Sequence, residues 1–371
     1  MVEGTRKIGI IAPKIYPVLK ESAIDTFGGA EVALSMIARE LSRRSEFDIH
    51  ILVGDYGQEA IESLDRLTLH RALDAQEGLL RNAIRLLSTI NSAGARIYIQ
   101  RTLSVASAVI ALYCWLTRRK FVYWVAHDGE TDGTHVLYKS WPTACLTHLM
   151  YRLASHVVVQ NDYERDQLEK RIPGIRCTLI KKGIDLPESE SFLAEDIDAI
   201  WVGRCDEWKN PEAFIELAAE YSDRRFVMIC PPAEGKDVYH RQVLSLAAPL
   251  RNLKFKGRTA NAEVLDLVSR SSLFCITSSQ EGDWPNVVLE AASLRTPILT
   301  LAINYEGLID KFGGGRYCHS SRARLFEEFQ SMIHDPVARS EMGEGAYQYV
   351  KETHDVRKET TKLVGLLNDI Y

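Results

Sequence analysis

Short apolar segments alternate with amphipathic segments along most of the chain, and this alternation constrains the fold more than any other feature. The first buried strand is predicted at "KIGIIAP", and a helix with one apolar face follows from about Ala30 to Arg44. The alternation stops at the polar, acidic stretch "LPESESFLAED" and restarts at "DAIWVG". Strands that alternate with helices form parallel sheets through right-handed crossovers. The sequence therefore predicts an α/β protein with two doubly wound, Rossmann-like domains facing each other across a cleft.

The polar stretch sets the predicted domain boundary. The amino-terminal domain is predicted to cover residues 1–186 and the carboxy-terminal domain residues 187–350. A last helix, 351–371, is predicted to cross back to the first domain. A chain of 371 residues is too long for one ordinary core, which also favours two domains. Ligands are expected in the cleft, because the loops at the carboxyl ends of parallel strands line it.

Composition narrows the classes of function. Apolar residues make up 46% of the chain and charged residues 26%, as in soluble globular proteins. The net charge of −5 divides unevenly, with +3 in residues 1–186 and −8 in the remainder. The acidic carboxy-terminal half argues against nucleic acid as the main partner. The mildly basic amino-terminal half is compatible with an anionic acceptor or a membrane surface.

Other sequence patterns bear on cofactors and location. The seven cysteines lie 25 to 45 residues apart without a Cys-x-x-Cys pair, which disfavours a zinc site and fits reduced thiols in a cytoplasmic protein. Neither a Gly-x-Gly-x-x-Gly motif nor a Walker phosphate loop is present, so no dinucleotide or P-loop chemistry is expected. The amino-terminal apolar segment is too short for a signal peptide. The mostly apolar run 103–116 is short of a membrane span and predicts a buried crossover helix, with a membrane-surface contact as the alternative.

Two loops of the amino-terminal half follow predicted strands and carry candidate site residues. Gly28 and Gly29 precede a helix, where backbone N–H groups and the helix dipole favour a phosphate. A plain glycine turn is an equal alternative. His127 and Asp128 follow the strand "KFVYWV" at the edge that lines the predicted cleft. The alternative for His127 is a purely structural histidine.

A third loop, in "VGRCDEWKNPEAF", joins the end of a strand to a helix that begins at Pro211. Arg204 and Lys209 lie in this loop. Two cations beside a helix amino terminus combine charge, backbone donors and dipole, so they predict an anion site. The alternative is a pair of solvated surface charges.

A fourth loop, in "QEGDWPNVVLEAA", joins the buried strand "LFCITSS" to a helix. Pro285 suits the first helical turn, which leaves the N–H groups of Asn286 and Val287 pointing towards a ligand. Glu290 lies one turn inside the helix, where a carboxylate suits sugar hydroxyls. The alternative interpretation treats Glu281 as a solvated loop charge and Glu290 as a hydrogen-bonded helix residue.

A metal site is the competing interpretation of a different segment. Asp196 and Asp198 have the Asp-x-Asp spacing that metal-dependent nucleotide-sugar transferases use. They open an apolar strand directly after the predicted linker, so solvated strand entry is favoured over metal binding.

Taken in order, these segments resemble the retaining glycosyltransferases of family 4, which have the GT-B fold. The resemblance covers nearly the whole chain and is carried by "GGAE" (28–31), "VVVQNDYERDQLEK…TLIKKGID" (157–185), "VGRCDEWKNPEAFIELA" (202–218), "LKFKGR" (253–258) and "SSQEGDWPNVVLEAASLRTPIL" (278–299). The last segment is the most specific, because family members carry there two glutamates around a short turn that often ends in Pro-Asn.

The resemblance implies roles at the donor diphosphate. Arg204 and Lys209 match the basic pair that holds this group. Gly28 and Gly29 match the glycine loop that closes over it. Because cations take the place of a divalent ion, the resemblance implies that no metal is required.

The resemblance also implies roles around the sugar and the nucleoside. Glu290 matches the glutamate that binds the donor ribose, and Glu281 the one that contacts the donor sugar. Eight residues separate them here instead of the usual seven, so Asp283 is an alternative to Glu281. His127 matches a histidine near the reaction centre. Arg258 lies where the family reads the nucleotide base, often through backbone atoms.

The activity implied is transfer of a hexose, with retention, from a UDP-sugar or GDP-sugar to a hydroxyl acceptor. The acceptor is expected to be a sugar or a lipid-linked sugar in bacterial polysaccharide or glycolipid assembly. A cytoplasmic location is expected, with a peripheral contact at the inner face of the membrane. One alternative is a nucleotide-sugar epimerase or another enzyme of the GT-B fold, and the second is a non-catalytic sugar-nucleotide-binding module. Arg204 and Lys209 weigh against the second, since a mere binding module would lack the basic pair.

Overall fold

The computed structural model describes residues 5–20, 29–187, 196–281, 284–305 and 307–371. The chain divides into an amino-terminal unit, residues 1–183 with 356–371, and a carboxy-terminal unit, residues 184–355. The observed divisions after residues 183 and 355 compare with predicted boundaries after 186 and 350. Most of the predicted linker, residues 188–195, lies outside the described residues.

The amino-terminal unit contains a sheet of eight strands within the described ranges. In chain order these are β1 (Arg6–Ile11), β2 (Phe47–Gly54), β3 (Ile61–Leu64), β4 (Leu67–Leu73), β5 (Ile97–Arg101), β6 (Lys120–Trp124), β7 (His156–Val159) and β8 (Cys177–Leu179). Their order across the sheet is β3-β4-β2-β1-β5-β6-β7-β8, and β3 alone of these strands runs antiparallel. The chain leaves β1 towards one side and returns to β5 on the other, so these two strands mark the switch point of a doubly wound sheet.

Helices cover both faces of this sheet. They are α1 (Tyr16–Leu19), α2 (Gly29–Ser42), α3 (Leu79–Ala93), α4 (Val105–Leu116), α5 (Gly129–Asp132), α6 (Trp141–Leu153), α7 (Asp162–Arg171) and, from the end of the chain, α14 (Val356–Ile370). Apolar residues of α2 and α14 share one core with one face of the sheet. Apolar residues of α3, α4, α6 and α7 share a second core with the other face.

The carboxy-terminal unit contains six parallel strands within the described residues. They are β9 (Ala199–Val202), β10 (Phe226–Ile229), β11 (Leu253–Lys256), β12 (Phe274–Ile276), β13 (Ile298–Thr300) and β14 (Gly315–Tyr317), ordered β11-β10-β9-β12-β13-β14. The helices are α8 (Pro211–Glu220), α9 (Asp237–Ala247), α10 (Asn261–Ser269), α11 (Asn286–Ser293), α12 (Arg322–His334) and α13 (Pro336–Thr353). The prediction of two parallel-sheet α/β domains is confirmed.

No helix among the described residues is both long enough and apolar enough to span a bilayer.

Candidate functional site

Two loops of the carboxy-terminal unit are brought together by the topology of its sheet. The chain leaves β9 towards β10 on one side, and β12 pairs with β9 on the other, with Phe274 opposite Ile200. The loops that follow β9 and β12 therefore leave the same edge at the switch point, where open α/β sheets bind ligands. Arg204 and Lys209 lie in the first loop, and Glu281 lies in the second.

The loop after β9 is fixed in shape before it reaches Lys209. A Cβ atom at Gly203 would lie 2.9 Å from the Trp201 ring, so the chain needs glycine at the end of the strand. Asn210 has φ of 50°, the left-handed conformation that asparagine tolerates better than most residues. Pro211 then starts α8 with the fixed φ that suits the first helical position.

Hydrogen bonds fasten this loop to the loop after β12. The buried Thr277 hydroxyl lies 2.8 Å from the carbonyl oxygens of both Lys209 and Asn210, to which it donates. It accepts a hydrogen bond from the Trp201 Nε1–H at 2.9 Å. The Ser279 N–H donates to the carbonyl of Trp208 at 2.8 Å. The two loops therefore form one hydrogen-bonded assembly, and Thr277, which the sequence did not single out, lies at its centre.

Lys209 and Glu281 form an ion pair between the two loops. Lys209 Nζ lies 2.5 Å from Glu281 Oε1, and the two side chains are 14% and 9% exposed. The ammonium also lies 4.2 Å from the centre of the Trp208 ring. Burial lowers the pKa of Lys209, while the carboxylate of Glu281 opposes that shift and Arg204 adds to it. A buried lysine with a single carboxylate partner can therefore gain from a more highly charged anion.

Arg204 has a different environment from Lys209. Its side chain is 66% exposed, and Nη2 lies 3.4 Å from Asp206 Oδ2. An exposed ion pair of this kind contributes little to stability, so Arg204 can turn to a ligand at small cost. Asp206 was not predicted as a site residue.

The amino terminus of α11 presents backbone donors at the same edge. Val288 and Leu289 donate their N–H groups to the carbonyl of Pro285, which makes them the first residues bonded within the helix. The N–H groups of positions 286 and 287 precede these bonds and lie at the positive end of the helix dipole. Pro285 is the residue before the helix, not its first residue as the sequence predicted. The correction leaves the donors of Asn286 and Val287 in place.

Glu290 is the buried carboxylate of α11. It is 7% exposed, and burial raises its pKa to about 7. Among the residues that the structure describes, none forms a hydrogen bond or ion pair with its carboxylate. A buried carboxylate without donors is costly unless a ligand supplies them.

Trp284 lies two residues before α11 in a cluster of aromatic rings. Its ring centre lies 4.5 Å from that of Tyr305 and 5.1 Å from that of Tyr349, and the second pair is stacked. This aromatic cluster joins Trp284 to α13. This role of Trp284 was not predicted, although an aromatic residue in a polar loop is a signal for such an anchor.

The amino-terminal unit places His127 directly after β6. The His127 side chain is 45% exposed, and Nε2 lies 3.7 Å from Oε1 of Glu130. Glu130 is fully buried and accepts hydrogen bonds from the Tyr123 hydroxyl at 2.8 Å and from two backbone N–H groups, at Ala126 and Leu103. Glu130 therefore holds the loop that carries His127. This role was not predicted from the sequence, because a carboxylate in a polar loop usually faces solvent.

The other predicted site residues are two glycines, an aspartate and an arginine. Gly29 is the first residue of α2, whereas Gly28 and Asp283 lie outside the described residues. Arg258 is exposed and follows β11, the outermost strand of its sheet, two strands away from β9. No hydrogen bond or ion pair within the described part of the chain joins Arg258 to the other predicted residues.

The two aspartates of the alternative metal site have other partners in the structure. Both carboxylate oxygens of Asp196 accept hydrogen bonds from the Arg270 guanidinium. Asp198 accepts a hydrogen bond from the Arg225 backbone N–H at 2.7 Å. Both aspartates precede β9, at the opposite end of this strand from Arg204. Across the described ranges, no three His, Cys, Asp or Glu side chains are grouped to hold a metal ion.

Three solved structures resemble the chain over nearly its whole length. Sucrose-phosphate synthase from Thermosynechococcus elongatus is 13% identical, with a TM-score of 0.75 over 98% of this chain and 99% of that one. Anabaena HepE in complex with UDP-glucose is 16% identical, with a TM-score of 0.74 over 98% and 99%. UDP-GlcNAc 2-epimerase from Neisseria meningitidis, bound to UDP-GlcNAc, is 14% identical, with a TM-score of 0.61 over 98% and 100%. Identities this low establish the fold alone.

Family models identify the two halves of the chain, although no curated protein sequence matches it. The model for glycosyltransferase family 4 matches residues 27–188. The model for glycosyl transferases group 1 matches residues 185–349, which include both loops that carry the Lys209–Glu281 pair. The chain therefore belongs to the glycosyltransferases of the GT-B fold, with a family 4 half followed by a group 1 half.

Proposed function

We propose that this glycosyltransferase moves a hexose from a nucleoside diphosphate sugar to a hydroxyl acceptor, with retention at the anomeric carbon. The observation that carries the proposal is the mostly buried Lys209–Glu281 pair at the switch point of the carboxy-terminal sheet. Two loops separated by 72 positions in the sequence are hydrogen-bonded together to form it.

The diphosphate binds to the cations and backbone donors of this edge. Lys209 and Arg204 supply charge, and the N–H groups of Asn286 and Val287 supply hydrogen bonds along the helix dipole. Negative charge grows on the diphosphate as the bond to the sugar breaks, so these groups stabilise the transition state more than the ground state. No divalent metal is needed in this proposal.

Donor binding exchanges partners at the ion pair. In the structure Lys209 and Glu281 neutralise each other. A diphosphate attracts the ammonium more strongly than one carboxylate does, which frees Glu281 to accept hydrogen bonds from the sugar hydroxyls. Asp283 remains the alternative partner of the sugar. A comparison of Glu281→Gln with Asp283→Asn distinguishes them, since the residue that contacts the sugar is the one whose loss lowers turnover.

The nucleoside and the acceptor complete the proposed site. Glu290 accepts hydrogen bonds from the ribose hydroxyls, which supply the donors that its carboxylate lacks. The roles of Gly28, Gly29 and His127 in the amino-terminal unit, and of Arg258 at the base, stay predictions. In the reaction the acceptor oxygen bonds to the anomeric carbon on the face that the diphosphate leaves, and the acceptor proton passes to the diphosphate.

The similarity to HepE, whose structure contains UDP-glucose, favours a UDP-sugar over a GDP-sugar as donor. The test is to heat the protein with a panel of nucleotide sugars and then to assay transfer with the sugar that raises the melting temperature most. The expected result is stabilisation by one donor and transfer that survives EDTA. Loss of transfer in EDTA with recovery in manganese contradicts the metal-free mechanism.

The similarity to UDP-GlcNAc 2-epimerase supports epimerisation as the second candidate. An epimerase changes its nucleotide sugar without an acceptor, whereas a transferase needs both substrates. NMR of the donor incubated with the protein alone distinguishes the two: an inverted sugar centre indicates an epimerase, and an unchanged donor agrees with transfer.

A further inference from the structure

The helices α3, α4 and α6 expose large apolar side chains on the amino-terminal unit. Of the eighteen large apolar side chains that the structure describes as exposed, ten lie on these three helices. Leu79 is 92% exposed and Trp141 is 79% exposed. The helices α2 and α14, on the other face of the same sheet, expose none in their described residues. Large apolar patches on a protein surface mark sites of interaction with another protein or with a membrane.

The spacing of these residues shows that they form stripes. On α4, Val105, Val109, Leu112 and Leu116 recur every three or four positions, and each is 39% to 64% exposed. The opposite side of α4, including Ile110, packs in the core. The sequence interpretation of α4 as a buried crossover helix therefore holds for one side only.

The other two helices add to this surface. On α6, Trp141, Cys145 and Leu149 recur every four positions and are all exposed. On α3, Leu80 and Ile84 are four positions apart and are 75% and 62% exposed. The three helices share one core on one face of the sheet, so their outer sides face the same way. We call this surface the basic apolar face.

The three helices of the basic apolar face contain no Asp or Glu, and Glu77, which lies just before α3, pairs with Arg85 at 2.5 Å. Residues 78–127 contain no Asp or Glu, although the chain average of 50 in 371 would place about seven there. Residues 133–161, which include α6, also contain none. Cations are present in both segments, and three of them, Arg118, Arg119 and Lys120, follow the end of α4 directly.

We propose that the basic apolar face lies on an anionic lipid bilayer. Apolar stripes beside cations are the composition by which helices bind the boundary of headgroups and acyl chains, and tryptophan favours this boundary. Trp115 and Trp141, 60% and 79% exposed, both lie on this face. Arginines beside them meet lipid phosphates, each adding a modest increment of affinity. A second copy of the chain is a poor partner for this face. Pairing two such faces would bring their cations together, and neither face has a carboxylate to offset the repulsion.

Co-sedimentation with vesicles tests the proposal on the full chain. Phosphatidylcholine vesicles with and without phosphatidylglycerol are compared for the wild type and for Trp115→Ser combined with Leu116→Ser. The matched control is Val238→Ser combined with Leu246→Ser, exposed apolar residues of α9 in the other unit. We expect the wild type to bind anionic vesicles, the α4 variant to bind about tenfold more weakly, and the control to bind unchanged. Absence of wild-type binding, or equal losses in both variants, overturns the proposal.

Two further measurements use features of the face itself. A polarity-sensitive fluorophore on the exposed Cys145 is expected to shift to the blue with anionic vesicles only, and an unshifted spectrum in bound protein places the contact elsewhere. Sedimentation without vesicles detects a second copy: a dimer that the α4 variant abolishes, together with no vesicle binding, overturns the proposal in favour of self-association. Neither measurement uses a donor sugar, so this inference stands or falls separately from the proposed sugar transfer.

Discussion

Two buried carboxylates, one in each unit, differ in what surrounds them. Glu130 is fully buried, and its oxygens accept hydrogen bonds from two backbone N–H groups and the Tyr123 hydroxyl. Glu290 is buried almost as deeply, yet within the described residues nothing donates to its carboxylate. Burial raises the pKa of Glu290 to about 7.

Under the proposed function, hydrogen-bond satisfaction rather than burial distinguishes a structural carboxylate from one that binds a ligand. A satisfied carboxylate stabilises the folded state through its donors. An unsatisfied one costs stability until a ligand brings the missing donors. The Lys209–Glu281 pair is intermediate, because each charge has one partner that a ligand can replace.

Replacement of Lys209 by alanine is expected to have the largest effect. The change removes a cation from the diphosphate, so kcat/KM for transfer falls by about 10³-fold, while the melting temperature moves far less. Steady-state kinetics and thermal denaturation measure the two effects. Lys236→Ala is the control, because Lys236 forms an exposed ion pair with Glu207 at 3.0 Å in the same unit. A kcat/KM of Lys209→Ala within about tenfold of the wild-type value would show that Lys209 does not bind the donor diphosphate.

Replacement of Glu130 by glutamine tests the buried carboxylate whose hydrogen bonds are satisfied. An amide keeps the shape but turns an N–H group towards donors, so the free energy of unfolding is expected to fall by about 3 kcal/mol. Urea denaturation measures the change. An unfolding free energy equal to that of the wild type would mean that the network around Glu130 is not structural, and the comparison with Glu290 would fail.

Replacement of Glu290 by glutamine is expected to change stability in the opposite direction. The folded pKa of about 7 exceeds the ordinary 4.5, so the folded state binds more protons than the unfolded state between these values. Wild-type stability contributed by this group therefore falls as pH rises from 4.5 to 7 and stays low above 7. The variant lacks this loss and should be more stable than the wild type by about 2–3 kcal/mol at pH 8, with no gain near pH 4.5.

Urea denaturation at pH 8 and near pH 4.5 measures the gain in stability. Calorimetry measures the affinity for the nucleotide sugar. Donor affinity of the wild type is expected to rise with pH through about 7, because the ionised carboxylate accepts from the ribose hydroxyls. Glu290→Gln should bind the donor weakly and without this pH dependence. A variant that loses stability at pH 8 would place Glu290 with Glu130 among the structural carboxylates.

The sequence predicts the fold and the loops better than it predicts the contacts between loops. Strand and helix periodicity, with a buried run before Arg204 and another before Glu281, is local information, and it located both loops correctly. That β9 and β12 are neighbours depends on the order of the whole sheet, which periodicity does not encode. The direct pairing of Lys209 with Glu281 was therefore not predicted.

Single polar groups inside apolar segments were missed for a related reason. Thr277 ends the run "FCIT", where threonine is an ordinary strand residue, and nothing local shows that its hydroxyl reaches another loop. Glu130 lies in a four-residue helix with no periodicity to reveal which side is buried. The structure supplies the donors and acceptors that the sequence leaves unspecified.

Replacement of Thr277 by valine is expected to have the smallest effect and tests how the loops are joined. Valine keeps the shape but removes the bonds to the carbonyls of Lys209 and Asn210 and leaves the Trp201 N–H without its acceptor. The free energy of unfolding should fall by about 1–2 kcal/mol. Because Lys209 is then less firmly positioned, the KM for the donor should rise by several-fold while kcat changes less.

Thr296→Val is the matched control for this change. Thr296 is also buried and also donates to a backbone carbonyl, at 3.0 Å from Val268, but it lies away from both loops. The two variants should lose comparable stability, and only Thr277→Val should raise the donor KM. If both raise it equally, loss of stability alone explains the effect, and the ion pair needs no help from Thr277. If neither does, the loops hold Lys209 and Glu281 in place through the backbone bond between Ser279 and Trp208.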